Sequence, residues 1–144
     1  MSGMNELYQN VILEHNRSPR NYRSMPDASH TAQGDNPLCG DQVTVWVRLA
    51  GDRIDDVSFQ GAGCAISKAS ASLMTGAVKG KTRAEAGALF ERFHRLITGA
   101  LPADERETLG KLAVFSGVSE FPVRVKCASL AWHALRSALD DGSA

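Results

Sequence analysis

Gln42-Val43-Thr44-Val45-Trp46-Val47-Arg48-Leu49, followed after Ala50-Gly51-Asp52-Arg53 by Ile54-Asp55-Asp56-Val57-Ser58-Phe59, is the stretch that decides the fold. Val43, Val45, Val47 and Leu49 alternate with mainly polar residues, Trp46 being the exception, and this period of two marks a half-buried strand. Ala50-Gly51-Asp52-Arg53 reads as a turn, and Ile54, Val57 and Phe59 make a second strand, antiparallel to the first in a hairpin. The second strand runs into Gly61-Ala62-Gly63, whose glycines let the backbone turn sharply ahead of Cys64.

Outward from the hairpin the periodicity becomes helical. Ile66, Ala69, Ser70, Leu73, Met74 and Ala77 recur at helix spacing, with Gly80 where a C-terminal cap belongs. Cys64 therefore sits just ahead of a helix N-terminus, where oriented peptide dipoles suit a metal ligand or a nucleophile. The small residues Ala65, Ser67 and Ala69 to Ser72 either let another element approach closely or form plain helix surface.

Thr82-Arg83-Ala84-Glu85 has capping-box spacing and opens a helix carrying Ala86, Leu89, Phe90, Phe93 and Leu96 or Ile97, with His94 on its charged face. Asp104 is placed to cap a further helix through Leu109, Leu112 and Ala113, and residues 116–122 read as a loop. Val123, Cys127, Leu130, Ala131, Ala134, Leu135 and Ala138 share one stripe of a final helix.

On the other side of the hairpin, Met4, Leu7, Tyr8, Val11 and Ile12 form the stripe of an opening helix that runs to about His15 and is stopped by Ser18-Pro19. His15, at the stripe's edge, reads as a hydrogen-bonded packing residue rather than a ligand. Residues 21–35 read as irregular chain holding at most one short edge strand. The expected fold class is α+β: a small, mainly antiparallel β-sheet with helices packed on one face, in a single domain spanning residues 1–144.

A chain of 144 residues buries enough surface to form a core without a metal. Hydrophobic residues at 43% and charged residues at 22% exclude a disordered or collagenous chain. With 16 basic and 16 acidic residues there is no basic field for nucleic acid, and no apolar run approaches the roughly 20 residues of a membrane helix. The N-terminus has no basic region followed by an apolar one, so the expected location is the cytoplasm. Three widely spaced cysteines in a reducing compartment point to thiol or metal chemistry rather than a disulfide framework; three unrelated buried cysteines are the plainer alternative.

Those cysteines are Cys39, in Asn36-Pro37-Leu38-Cys39-Gly40-Asp41, then Cys64 and Cys127. With Asp41 they make three sulfurs and one oxygen, a complete tetrahedral set for zinc or a partial one for an iron cluster.

Taken together, Asn36-Pro37-x-Cys39-Gly40-Asp41, Gly61-x-Gly63-Cys64-Ala65-Ile66-Ser67-x-Ala69-Ser70-x-Ser72 and Arg124-Val125-Lys126-Cys127 resemble the IscU/NifU-N family of iron–sulfur assembly proteins. The opening helix, as Tyr8-x-x-Val11-Ile12-x-x-His15 followed by Pro19-Arg20-Asn21, resembles that family too, so the motifs match in order over nearly the whole chain. Two departures resemble the SufU-like branch. Lys126 stands where IscU-like scaffolds typically have a histidine before the third cysteine, and the separation of Cys64 from Cys127 leaves room for an insertion at roughly Phe93 to Gly110.

The resemblance implies a zinc-dependent sulfurtransferase that works only with a partner. Cys39 would accept sulfur, Asp41, Cys64 and Cys127 would retain the metal, and Arg124 and Lys126 would support the site. Its partners would be a cysteine desulfurase of the SufS type and downstream iron–sulfur assembly proteins. The alternative is a scaffold that binds iron or a [2Fe–2S] cluster on the same Cys39, Asp41, Cys64 and Cys127, which the missing histidine argues against. A third reading, an adaptor with a purely structural zinc, fits a carboxylate ligand less well.

Overall fold

The computed structural model describes residues 6–37 and 40–141, with the side chains of residues 6–8 and 141 excepted. Met4 and Cys39 lie outside this range, as do the side chains of Leu7 and Tyr8.

Helix α1 (Glu6–Arg17) precedes three strands, β1 (His30–Asn36), β2 (Asp41–Ala50) and β3 (Arg53–Ala62). Helices α2 (Ala65–Val78) and α3 (Arg83–Ile97) follow, then a 3-10 segment (Ala103–Glu120) and α4 (Pro122–Asp141). The sheet is antiparallel in the order β1-β2-β3, so β2 is central. Val45 pairs with Phe59 and Val47 with Val57, which puts these four on one face, all buried. Helix α4 packs against β1 and β2, and α2 against β3 and α4, covering that face and leaving the other to residues such as Thr44, Trp46 and Arg48. The edge strand β1 is longer than the sequence suggests, because Gln33, Gly34 and Asp35 follow no apolar alternation and are held by the ladder to β2.

The small residues of α2 are buried by neighbours on several sides. Ser70 Oγ donates to Ala128 O of α4 at 2.5 Å and accepts from Trp132 Nε1 at 3.2 Å. Trp132 is fully buried, stacked on Phe93 with ring centroids 4.6 Å apart. On the opposite side Ser72 Oγ receives the Arg20 N–H at 2.8 Å and lies 2.7 Å from His15 Nδ1, so His15 is the packing residue expected. The Thr82–Glu85 capping box is present on α3, with both reciprocal bonds made.

Two expectations are corrected. The run from Ala103 to Glu120 is 3-10 turns broken at Gly110, not an α-helix followed by a loop. Four of its buried residues, Leu109, Leu112, Phe115 and Val118, recur every three positions, the spacing that aligns side chains on a 3-10 helix. Val123 does not share the buried stripe of α4 and is 55% exposed, because the first turn of that helix projects past the core. Among the described residues no helix is long and apolar enough to cross a membrane.

Candidate metal centre

Asp41 is the first residue of β2 and belongs to the inward series Asp41, Val43, Val45, Val47, so its carboxylate is carried under the helical layer and is fully buried. Strand β3 ends beside it, Gln42 facing Ala62 across the ladder. The chain then passes Gly63 and enters α2 with Cys64 as the N-cap, whose Sγ accepts from Ser67 N at 3.5 Å. The Cys64 N–H donates to Asp41 Oδ1 at 2.9 Å, and Cys64 Sγ lies 3.8 Å from Asp41 Oδ2. Cys127 arrives from the early part of α4 and is 2% exposed.

One ligand atom each from Asp41, Cys64 and Cys127 falls within 4.8 Å of the others. Cys64 is the solvent-facing member of the three. They gather at one end of the sheet, where β1 ends, β2 begins and β3 ends.

The donor geometry fits zinc. Bonds of about 2.3 Å to sulfur and about 2.1 Å to oxygen at the tetrahedral angle separate those donors by about 3.6 Å. The 3.8 Å between Cys64 Sγ and Asp41 Oδ2 is close to that edge. The charge fits as well: a buried carboxylate requires a compensating cation or full hydrogen bonding, and among the described residues Asp41 forms no ion pair. Asp41 and the thiolates of Cys64 and Cys127 would therefore hold the metal, leaving one tetrahedral position to a fourth donor.

The glycines ahead of Cys64 have a more specific reason than a sharp turn. A Cβ on Gly63 would lie 2.3 Å from Asp41 Oδ1, and one on Gly61 would lie 2.2 Å from Gln42 O. Only hydrogen fits at either place, so the pair admits the carboxylate and the close β2–β3 approach together. Asn36 is a further member that carried no assigned role. It is buried, pairs with Asp41 in the β1–β2 register, and brings its Nδ2 to 4.0 Å from Cys127 Sγ. The signal for it is position alone, since Asn36 opens the Asn-Pro-x-Cys-Gly-Asp motif.

Of the other site candidates, Arg124 and Lys126 sit exposed near the start of α4, the Arg124 guanidinium carbon 5.5 Å from the Phe121 ring centroid.

The NifU-like N terminal domain model matches residues 7–128. A protein named iron–sulfur cluster assembly scaffold protein IscU, from Streptococcus pyogenes serotype M1, is 40% identical over 96% of this chain and 86% of its own length. A protein named zinc-dependent sulfurtransferase SufU, from Bacillus subtilis strain 168, is also 40% identical, over 93% of this chain and 90% of its own. Among solved structures, a protein from Fervidobacterium islandicum AW-1 assigned as an iron–sulfur cluster assembly scaffold for the SUF system superposes with a TM-score of 0.83. It is 36% identical and covers 90% of this chain and 93% of that one.

Proposed function

Because the chain belongs to the NifU-like N-terminal domain family, we propose that it serves iron–sulfur cluster assembly as a zinc-dependent sulfur acceptor, taking persulfide sulfur from a cysteine desulfurase of the SufS type. The observation that carries this reading is the convergence of Asp41, Cys64 and Cys127 within 4.8 Å at an end of the sheet. Lys126, rather than histidine, stands before the third cysteine there. The likeness to a named zinc-dependent sulfurtransferase over nearly the whole chain supports it.

Cys39, two positions before Asp41 in the sequence, is the fourth donor assigned here and the sulfur acceptor. Zinc, when bound, would supply the cationic charge that keeps coordinated cysteines as thiolates at neutral pH, with no redox chemistry of its own. The Cys39 thiolate attacks the outer sulfur of the desulfurase persulfide. One S–S bond forms on Cys39, the S–S bond on the partner breaks, and the partner's cysteine leaves as thiolate, with no net oxidation. Asp41 is held by the Cys64 N–H, and Cys127 is buried beside Asn36, so these groups stay in place while Cys39 reacts. Arg124 and Lys126 are assigned a supporting role, as exposed cations near the start of α4.

The scaffold named IscU, matched at the same identity, favours a second reading, in which a [2Fe–2S] cluster is cargo built on the same four residues and passed to other assembly proteins. The test is a desulfurase assay with wild type and Cys39→Ala, both checked for zinc. The sulfur-acceptor reading expects the variant to lose stimulation and wild type to carry a persulfide on Cys39 by mass spectrometry. Full stimulation by Cys39→Ala removes Cys39 from the acceptor role.

A further inference from the structure

About 12 Å along α2 from Cys64, at 1.5 Å per residue, Ser72 forms part of a second concave site that the sulfur chemistry does not use. It is a cleft of about 350 Å³ between the end of α1, the outer face of α2 and the 3-10 segment. That volume falls in the range of about 300–1,000 Å³ typical of small-molecule sites. We propose that this cleft binds a small aliphatic carboxylate, its charge held by His15, Arg20 and Lys111 and its tail by Leu73, Leu109 and Leu112.

His15 is the built element. It is 5% exposed, yet it lines the cleft. Ser72 Oγ accepts the Arg20 N–H, and its own proton finds no other acceptor among the described residues than His15 Nδ1 at 2.7 Å. With Ser72 buried, the arrangement is fully satisfied by the neutral tautomer that carries its proton on Nε2, in which Ser72 donates to Nδ1. Nε2 has no hydrogen-bond partner among the described residues, so in that tautomer a nine-tenths buried side chain lining the cleft keeps an unused N–H. Burial, with Arg20 and Lys111 nearby, lowers the imidazole pKa, in keeping with a neutral donor.

The charges around it select a monoanion. Arg20 is bridged to Glu14 at 2.5 Å, and Lys111 forms no ion pair among the described residues, so the rim carries one net positive charge. The remaining wall is apolar, which favours an organic anion over an inorganic one. Gly76 opens the space. It lies in the interior of α2, where glycine is disfavoured, and a Cβ there would meet nothing within 4 Å, so no packing contact within the protein requires its absence.

The test is an NMR titration of the full zinc-loaded chain with isovalerate at pH 7, with 3-methylbutanol and inorganic phosphate as comparisons. Saturable shifts confined to His15, Arg20, Gly76 and Lys111, roughly tenfold or more weaker for the alcohol and for phosphate, are expected. Gly76→Leu projects into the cleft from a position with open space, so it stays folded and should lose the shifts. Lys111→Gln, on the surface, should weaken binding without altering the fold. Absence of saturable shifts in wild type, equal response to the alcohol or to phosphate, or full binding by Gly76→Leu would each overturn the assignment.

Discussion

At the scale of single residues, the site depends on atoms that are missing as much as on those present. Gly63 leaves room for the Asp41 carboxylate, so a methyl group there displaces Oδ1 from the Cys64 N–H. Gly63→Ala should weaken zinc binding about 10- to 100-fold, the usual cost of disturbing a ligand's support, read by competition with a chromophoric chelator. Unchanged affinity would mean that Asp41 is not a ligand. His15 makes a separate prediction. Its burial lowers the pKa from the ordinary 6.5, with Arg20 and Lys111 acting in the same direction and Glu14 opposing. The unfolded chain then binds the proton more readily, so this contribution is fully present above pH 6.5 and stability falls as the pH drops below it. His133 is shifted the same way, by burial first and then by His94 and Arg136, and adds to the slope. The lowered carboxyl groups of Glu14, Asp56 and Glu85 act in a lower window, below about pH 4.5. In metal-free protein, the urea midpoint should fall from pH 7.5 to 5.5 and fall less in His15→Gln; an identical fall in both assigns the slope elsewhere.

At the scale of elements, α2 is the bridge between the site and the core. Its N-cap is Cys64, Ser70 ties it to α4, and Ser72 ties it to the chain after α1. Trp132 on α4 anchors this arrangement by stacking on Phe93 and donating to Ser70. Trp132→Ala should cost about 3–5 kcal/mol, measured by chemical denaturation, and a loss below 1 kcal/mol would show that α2 and α4 do not depend on it. Helix α3 offers the opposite case. Gly87 lies mid-helix, exposed, with open space for a Cβ. Gly87→Ala should stabilise the protein by about 0.5–1 kcal/mol, and a destabilised variant would indicate that the open space is not available.

At the scale of the whole molecule, the core is dominated by Trp132, Phe93, Phe115, Phe59 and the β2 valines, with Cys127 packed within it, so the metal is one support of the fold among many. Chelation should lower the melting temperature yet leave the far-ultraviolet spectrum of a folded α+β chain; cooperative unfolding on chelation would contradict this. Alternation in β2 and capping around α3 are local signals, and both were readable. The cysteine and aspartate motifs are legible as chemistry, because three thiols and a carboxylate make a complete tetrahedral donor set. The 3-10 segment is not legible although Leu109, Leu112, Phe115 and Val118 follow its period of three, because Leu109, Leu112 and Ala113 also satisfy an α-helix. The positions of Asn36 beside Cys127 and of Gly63 against Asp41 follow from strand register, which no local pattern carries.

The proposed service of these donors in zinc-dependent sulfur transfer is tested most directly by metal content and acid-labile sulfide in protein purified anaerobically from its own host. One equivalent of zinc per chain with no sulfide is the predicted result. Iron and sulfide in equal amounts would contradict it and make the chain a cluster scaffold.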